Sequence, residues 1–182
     1  MGRLILIIGC MFSGKSTKLL EFYYKYRLKY KCLLVNHSID NRYSDNKVST
    51  HNLRSENAVM TDNLMSIFDS ENYQNVNVIL VDESQFYDDV KQFVDKAVNQ
   101  DNKIVIMSGL NGDFEKKPIG KIHELISEAD EIHFQKAICH YCKVPEEAIF
   151  SHRTKNSKEQ VLIGNNDSYV PVCRYHYNKL KN

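Results

Sequence analysis

Gly9-Cys10-Met11-Phe12-Ser13-Gly14-Lys15-Ser16-Thr17 satisfies G-x-x-x-x-G-K-[ST] at every fixed position. Leu4-Ile5-Leu6-Ile7-Ile8 precedes it, a short apolar run suited to a strand buried on both faces. Residues 18–30 follow with neither Gly nor Pro, rich in Leu, Lys and aromatics, as a helix would be. Strand, glycine loop and helix together make a cradle for phosphate. The glycines let the backbone curl with its N–H groups inward, and the helix N-terminus adds partial positive charge. In such a cradle Lys15 reaches the outer phosphates and the Ser16 hydroxyl holds Mg²⁺. An ordinary glycine turn before a helix is the bland alternative, and the matching flanks argue for a nucleoside triphosphate site.

A second signal lies at the end of 76–81, an apolar strand that runs into Asp82-Glu83. A strand ending in an acid is how an enzyme with such a cradle brings a carboxylate beside Mg²⁺, so Asp82 is the metal candidate. Glu83 then falls near the terminal phosphate, where it could take a proton from an attacking hydroxyl. The alternative is a pair of exposed acids before a turn. Further strands read at 32–35, 103–107 and 131–134, and helices at 64–68, 86–98 and 120–127, while 48–59 fits no period. Strands alternating with helices give an α/β fold: a P-loop NTPase-type parallel sheet of about five strands flanked by helices. Asp40-Asn41-Arg42-Tyr43 pairs an acid with a base past the second strand, where open α/β sheets bind ligands. The loop 109–118 reads as mobile, with Phe114 either a lid aromatic or a plug over the core.

Composition narrows the class. The 182 residues carry 42% hydrophobic and 26% charged side chains, as soluble globular chains do. A net charge of +1 steers the molecule toward neither nucleic acid nor an acidic membrane. The longest apolar run is Leu4 to Ile8, far short of the ~20 residues a membrane helix needs. The first strand begins at once, which leaves no room for a signal peptide. Five cysteines point to a reducing compartment, and the chain reads as cytoplasmic. Basic residues and tyrosines interleave over 23–31, as on a surface for single-stranded nucleic acid. Yet Leu19, Phe22, Tyr23 and Tyr26 share one helical stripe, which favours a packed helix with a solvated outer face, another subunit being one surface it could cover.

The C-terminal region changes character. Cys139-His140-Tyr141-Cys142 is C-x₂-C and Cys173-Arg174-Tyr175-His176 is C-x₂-H. Two such knuckles close a tetrahedral Cys₃His zinc site that is structural, all four positions being filled by protein. The zinc would hold together a region with too few apolar residues to fold alone. A redox C-x-x-C is the rival, and His140 or His152 could replace His176. The chain thus divides into a nucleotide-binding α/β domain, 1–135, and a small zinc-ribbon-like lasso domain, 136–182. Between the knuckles 160–163 reads as a strand and 164–169 as a flexible loop able to close over a small ligand.

With these pieces in place the chain resembles the type II thymidine kinases, the cellular and poxviral kind with a C-terminal zinc lasso. The resemblance runs from Gly9 to His176: GCMFSGKST at 9–17, DNRYS at 40–44, VDESQFY at 81–87, GLNGDFEKKPIG at 109–120 and VLIGNNDSYVPVCR at 161–174. It implies transfer of the γ-phosphate of ATP to the 5′-hydroxyl of thymidine, and of deoxyuridine, in deoxynucleoside salvage. Glu83 matches the general base, Ser16 and Asp82 the Mg²⁺ site, Lys15 the phosphate lysine, and Asp40 and Arg42 an acid and a base brought to the phosphates. Gln85 matches the nucleotide side of the site, Phe86 and Leu110 the nucleoside side, and Phe114 the aromatic packed on thymine. Ser151 lies where many members carry a threonine near the base. Leu162, Ile163 and Gly164 match lasso backbone that hydrogen-bonds the base, and Tyr169 the residue over the sugar. Feedback inhibition by dTTP and a homotetramer are further implications.

The sequence departs from the family pattern at Asn52 and Asn111, where acids are usual, at Asn165, where a glycine is usual, and at His176, where cysteine is commoner. A nucleic-acid-stimulated ATPase that grips its strand with the zinc ribbon is the reading from another class, against which the neutral charge stands. A kinase for another flat pyrimidine nucleoside is the third.

Overall fold

The computed structural model describes residues 1–39, 47–49, 55–155, 160 and 168–181. Asp40, Arg42, Leu162, Ile163 and Gly164 lie outside the described residues, as do Asn52 and Asn165. In chain order the elements are β1 (Arg3–Gly9), α1 (Lys15–Tyr26), β2 (Cys32–His37), β3 (Lys47–Ser49), β4 (Ser55–Asn57) and β5 (Val59–Thr61). A 3₁₀ turn at Leu64–Ile67 leads to α2 (Glu71–Gln74), β6 (Val78–Val81), a second 3₁₀ turn at Ser84–Phe86 and α3 (Val90–Val94). A wider helical turn (Asp95–Gln100), β7 (Ile104–Leu110), a 3₁₀ segment (Ile122–Glu128) and β8 (Glu131–Gln135) complete the larger part. The C-terminal part holds β9 (Ala137–Ile138), β10 (Glu147–Ala148), β11 (Phe150–Arg153), β12 (Tyr169–Val172) and α4 (Arg174–Lys181).

Six strands form one sheet in the order β5-β2-β6-β7-β1-β8. Every neighbouring pair is parallel. The sheet therefore has one strand more than expected: β5 begins where the stretch without a period ends and pairs Val59 to Thr61 with the end of β2. Side chains alternate between the faces, as the two-residue period of a strand demands. Leu4, Leu6, Ile79, Val81, Val105 and Met107 point to the layer made by Leu64, Phe68, Tyr73, Val90, Phe93, Val94 and Ala97. Ile5, Ile7, Leu34, Leu80 and Ile106 point to the other layer, where α1 supplies Leu19, Leu20 and Phe22. Tyr23 and Tyr26 lie partly buried against that layer, so the apolar stripe of α1 covers the sheet.

Parallel pairing brings the carboxyl ends of all strands to one edge. Gly9 ends β1, Val81 ends β6, Leu110 ends β7 and Gln135 ends β8. Ligands of open α/β sheets bind outside that edge. β7 lies between β1 and β6 and pairs with both, so the glycine loop and the acid pair are one strand apart.

Candidate active site and metal centre

Two backbone details shape the glycine loop. Gly14 takes a left-handed conformation (φ 80°) and caps α1, which starts at Lys15. At Gly9 a Cβ would come within 2.3 Å of the Gln135 carbonyl oxygen and 2.7 Å of Ser13 Oγ, so β8 and the loop close on bare backbone. No side chain caps α1 and no acid sits in its first turn. Its N–H groups and partial positive charge are left for an anion. Lys15 Nζ donates to the Cys10 carbonyl at 2.8 Å, so the lysine lies back along the loop. Ser13 Oγ donates to the same carbonyl at 2.7 Å.

The acid pair follows β6 directly. Asp82 is 4% exposed. Its carboxylate accepts the hydroxyl of Ser108 on β7 and the Glu83 N–H, and the Ser16 hydroxyl from the first turn of α1. Burial, and then the charge of Glu83, push the Asp82 carboxyl up to about 6, against the pull of these donors. A buried carboxylate joined by a hydroxyl to the end of a phosphate-type loop is a fitting seat for a hard divalent cation. Glu83 stands in a left-handed conformation (φ 50°), costly for a residue that carries a Cβ and frequent at functional sites. Gln85 Nε2 donates to Glu83 Oε2 at 2.5 Å, and Gln85 Oε1 accepts the Leu110 N–H at 3.0 Å. Phe86 is half-buried with its ring 5.7 Å from His37.

Phe114 is neither a core plug nor a loose lid. Asp113 Oδ1 accepts the N–H groups of Glu115 and Lys117, each at 2.8 Å, which ties the loop into a compact turn. Tyr177 of α4 donates to the Phe114 carbonyl at 2.7 Å, and the Arg153 guanidinium lies 3.8 Å from the ring centre. Arg153 also donates to the Tyr169 hydroxyl and to the Gln160 carbonyl. Phe114 and Tyr169 are thus gathered around one buried cation that nothing local in the sequence singled out. Tyr169 belongs to strand β12 and is 7% exposed, whereas the sequence placed it in a flexible loop.

Cys139, Cys142, Cys173 and His176 bring one ligand atom each to within 4.8 Å of one another. His176 Nδ1 lies 3.4–3.5 Å from the three sulfurs, and Cys142 Sγ lies 3.8 Å from Cys173 Sγ. Zn–S bonds of about 2.3 Å and Zn–N bonds of about 2.0 Å set tetrahedral edges of about 3.5–3.8 Å, so the cluster fits zinc. The thiols oppose one another without a cation. Burial raises Cys139, but the N–H groups of Cys173 and Tyr141 and the adjacent thiols outweigh it and bring it to about 6. Burial and those same thiols push Cys142 up to about 12. A bound zinc would take the sulfurs as thiolates, so its binding would release protons.

This small unit is joined to the glycine loop. Cys10 packs with Ala137, Cys139, Ala148, Val172, Cys173 and Tyr177, and its thiol donates to the Ala148 carbonyl at 3.4 Å. Burial raises the Cys10 thiol above its ordinary value, consistent with a small packed residue. The Met11 N–H donates to Ser151 Oγ at 3.0 Å, and Asn111 Nδ2 to the Ile149 carbonyl at 3.2 Å. The last contact needs a donor, so the acid usual at that position could not make it.

A model of the thymidine kinase family matches residues 2–177. A thymidine kinase of myxoma virus (strain Uriarra) is 40% identical over 178 residues, covering 97% of this chain and 96% of its own. Thymidine kinase 1 of Dictyostelium discoideum is 38% identical over 186 residues, covering 100% of this chain and 80% of its own. A thymidine kinase of vaccinia virus (strain Ankara) is 37% identical over 177 residues, with 97% of each chain covered.

Proposed function

Since the chain belongs to the thymidine kinase family, we propose that it transfers the γ-phosphate of ATP to the 5′-hydroxyl of thymidine to give dTMP. The observation that carries the reading is the acid pair. Asp82 is bonded to Ser16 of the glycine loop, and Glu83 is turned out of the strand beside it. Glu83 takes the proton of the 5′-hydroxyl as that oxygen bonds to the γ-phosphorus. The bond to the β–γ bridging oxygen breaks, and ADP leaves with the electron pair. Lys15 and the N–H groups of residues 9–17 neutralise charge on the phosphates. Ser16 and Asp82 would hold Mg²⁺, which when bound supplies further positive charge there. Cys139, Cys142, Cys173 and His176 would hold zinc, whose contribution is structural.

Phe86, Leu110, Phe114, Ser151 and Tyr169 form the nucleoside side of this proposed site, with Leu162, Ile163 and Gly164 giving backbone groups to the base and Asp40 and Arg42 reaching the phosphates. We take 1–135 as the nucleotide domain and 136–182 as the lasso domain. Deoxyuridine as a second substrate, dTTP as feedback inhibitor, a homotetramer and a cytoplasmic setting belong to the same reading. No described helix is long and apolar enough to cross a membrane. The rival that uses α1 to bind nucleic acid loses support, because Leu19, Leu20 and Phe22 of that helix face the sheet.

Glu83→Gln keeps the size of the side chain and removes its basicity. ATP binding should survive, while thymidine-dependent ADP release falls roughly 10²–10⁴-fold. A variant that forms dTMP at the original rate would sink the assignment of the base.

A further inference from the structure

We propose that Gln85 is a positioning residue that fixes the Glu83 carboxylate relative to the nucleoside side of the site, an inference that rests on Glu83 being the base. Its side chain bridges two strand ends. Nε2 donates to Glu83 Oε2 at 2.5 Å, and Oε1 accepts the N–H of Leu110, the last residue of β7, at 3.0 Å. The second bond decides the first. Since the Leu110 N–H can only donate, the amide oxygen must face it, and the amide nitrogen is left to face Glu83. The amide therefore offers Glu83 a donor and nothing else. It engages Oε2 of the carboxylate and so fixes how the Glu83 side chain is turned.

The bridge is held rigidly. Gln85 is 3% exposed. A Cβ on Gly120 would stand 1.9 Å from the Gln85 carbonyl oxygen, and one on Gly109 would stand 2.9 Å from Oε1 and 2.7 Å from Ile122 Cδ1. Two bare backbones thus make the room in which this glutamine sits. Gly120 also takes a left-handed conformation (φ 58°) that side chains disfavour. Leu110 is in the proposed nucleoside pocket, so the bridge puts the base and the seat of the attacking hydroxyl on one frame. Such a frame matters because misplacing a reacting group by about 1 Å costs on the order of 10²-fold in rate. Its side chain is engaged with Glu83 and Leu110, which separates this role from direct contact with the nucleotide.

The test uses the full chain, ATP and thymidine, with steady-state rates and direct ATP binding. Gln85→Glu keeps an acceptor for Leu110 and turns the donor toward Glu83 into a repelling oxygen. Gln85→Met keeps the volume without adding charge, and serves if the glutamate variant unfolds. Both are expected to lower kcat roughly 10²-fold and to leave KM and Kd for ATP within about threefold. Combined with Glu83→Gln, they should cause no further loss, because a residue that acts only through Glu83 has nothing left to position. The proposal is overturned if KM for ATP rises tenfold or more with kcat kept, or if the losses multiply in the double variant. Full turnover in Glu83→Gln alone would instead remove the base itself, whatever Gln85 does.

Discussion

The carboxyl edge of the sheet and the unit beyond Gln135 both supply side chains to the proposed site, and they hold them differently. At the edge, Asp82 and Glu83 follow β6, whose four residues are all buried between two apolar layers. Chain direction and hydrophobic burial place those two residues, and the Ser108 and Ser16 hydroxyls and the Gln85 amide orient their carboxylates. Beyond Gln135, strands of two to four residues surround a small core in which Ala137, Cys139, Ala148, Val172, Cys173 and Tyr177 are buried together with Cys10 of the glycine loop. From there Arg153 holds Tyr169, and Arg153 and the Tyr177 hydroxyl hold Phe114, which reaches over from the loop after β7. The lesson is that the acid pair follows a strand packed on both faces, whereas Phe114 and Tyr169 are held by contacts between residues far apart in the chain.

The largest expected effect is on the second region. Cys173→Ser should lower zinc affinity by more than about 100-fold, beyond the loss of an outer partner, because it removes a ligand itself. Zinc content after dialysis, thymidine binding and thermal unfolding measure it together. If the comparison holds, zinc and thymidine binding go while the sheet keeps its own transition. A sheet that melts with the metal would make the two regions one cooperative unit, joined through Cys10 and Ala148.

A middle-sized effect belongs to the first region. Asp82 is held up to about 6, so the ligand-free fold binds its proton more tightly than the unfolded chain does. The stability this contributes is present in acid and is lost as pH rises from about 4 through about 6. Asp82→Asn should flatten that part of the pH profile in denaturant unfolding. An unchanged slope would mean that packing does not perturb this carboxylate. The smallest effect tests the join. Tyr177→Phe removes the bond to the Phe114 carbonyl and should cost about 1 kcal/mol in unfolding. A rise in KM for thymidine larger than about tenfold would show that this hydroxyl positions the aromatic as well.

Much of this was legible from neighbouring residues alone. The strand before Gly9, the acids after Val81 and the spacing of the knuckles each depend on a few consecutive side chains, and the structure has them in place. Boundaries were less so. The first helix runs Lys15–Tyr26, not over 18–30, because left-handed Gly14 lets it start at once and Arg27 to Tyr30 close in a turn. The helix expected over 86–98 is broken: the 3₁₀ turn after Glu83 passes into extended Tyr87 before α3 begins at Val90. The helices expected at 64–68 and 120–127 are 3₁₀ segments at Leu64–Ile67 and Ile122–Glu128, for periodicity cannot separate a short helix from a tight turn.

By itself, the sequence determined the α/β class, the glycine loop, the acid pair and the three cysteine donors, since each is written in short runs of positions, while the structure chose His176 over His140 and His152 as the fourth. Only the tertiary structure decided the sheet order that sets β7 between β1 and β6, and so gave Asp82 the Ser108 hydroxyl and Gln85 the Leu110 N–H. It alone joined Cys10 to Ala148 and Arg153 to Phe114 and Tyr169. The physical reason is that a hydrogen bond or a stacked cation between residues far apart in the chain has no period or spacing to announce it. Such contacts exist only once hydrophobic burial has ordered the strands.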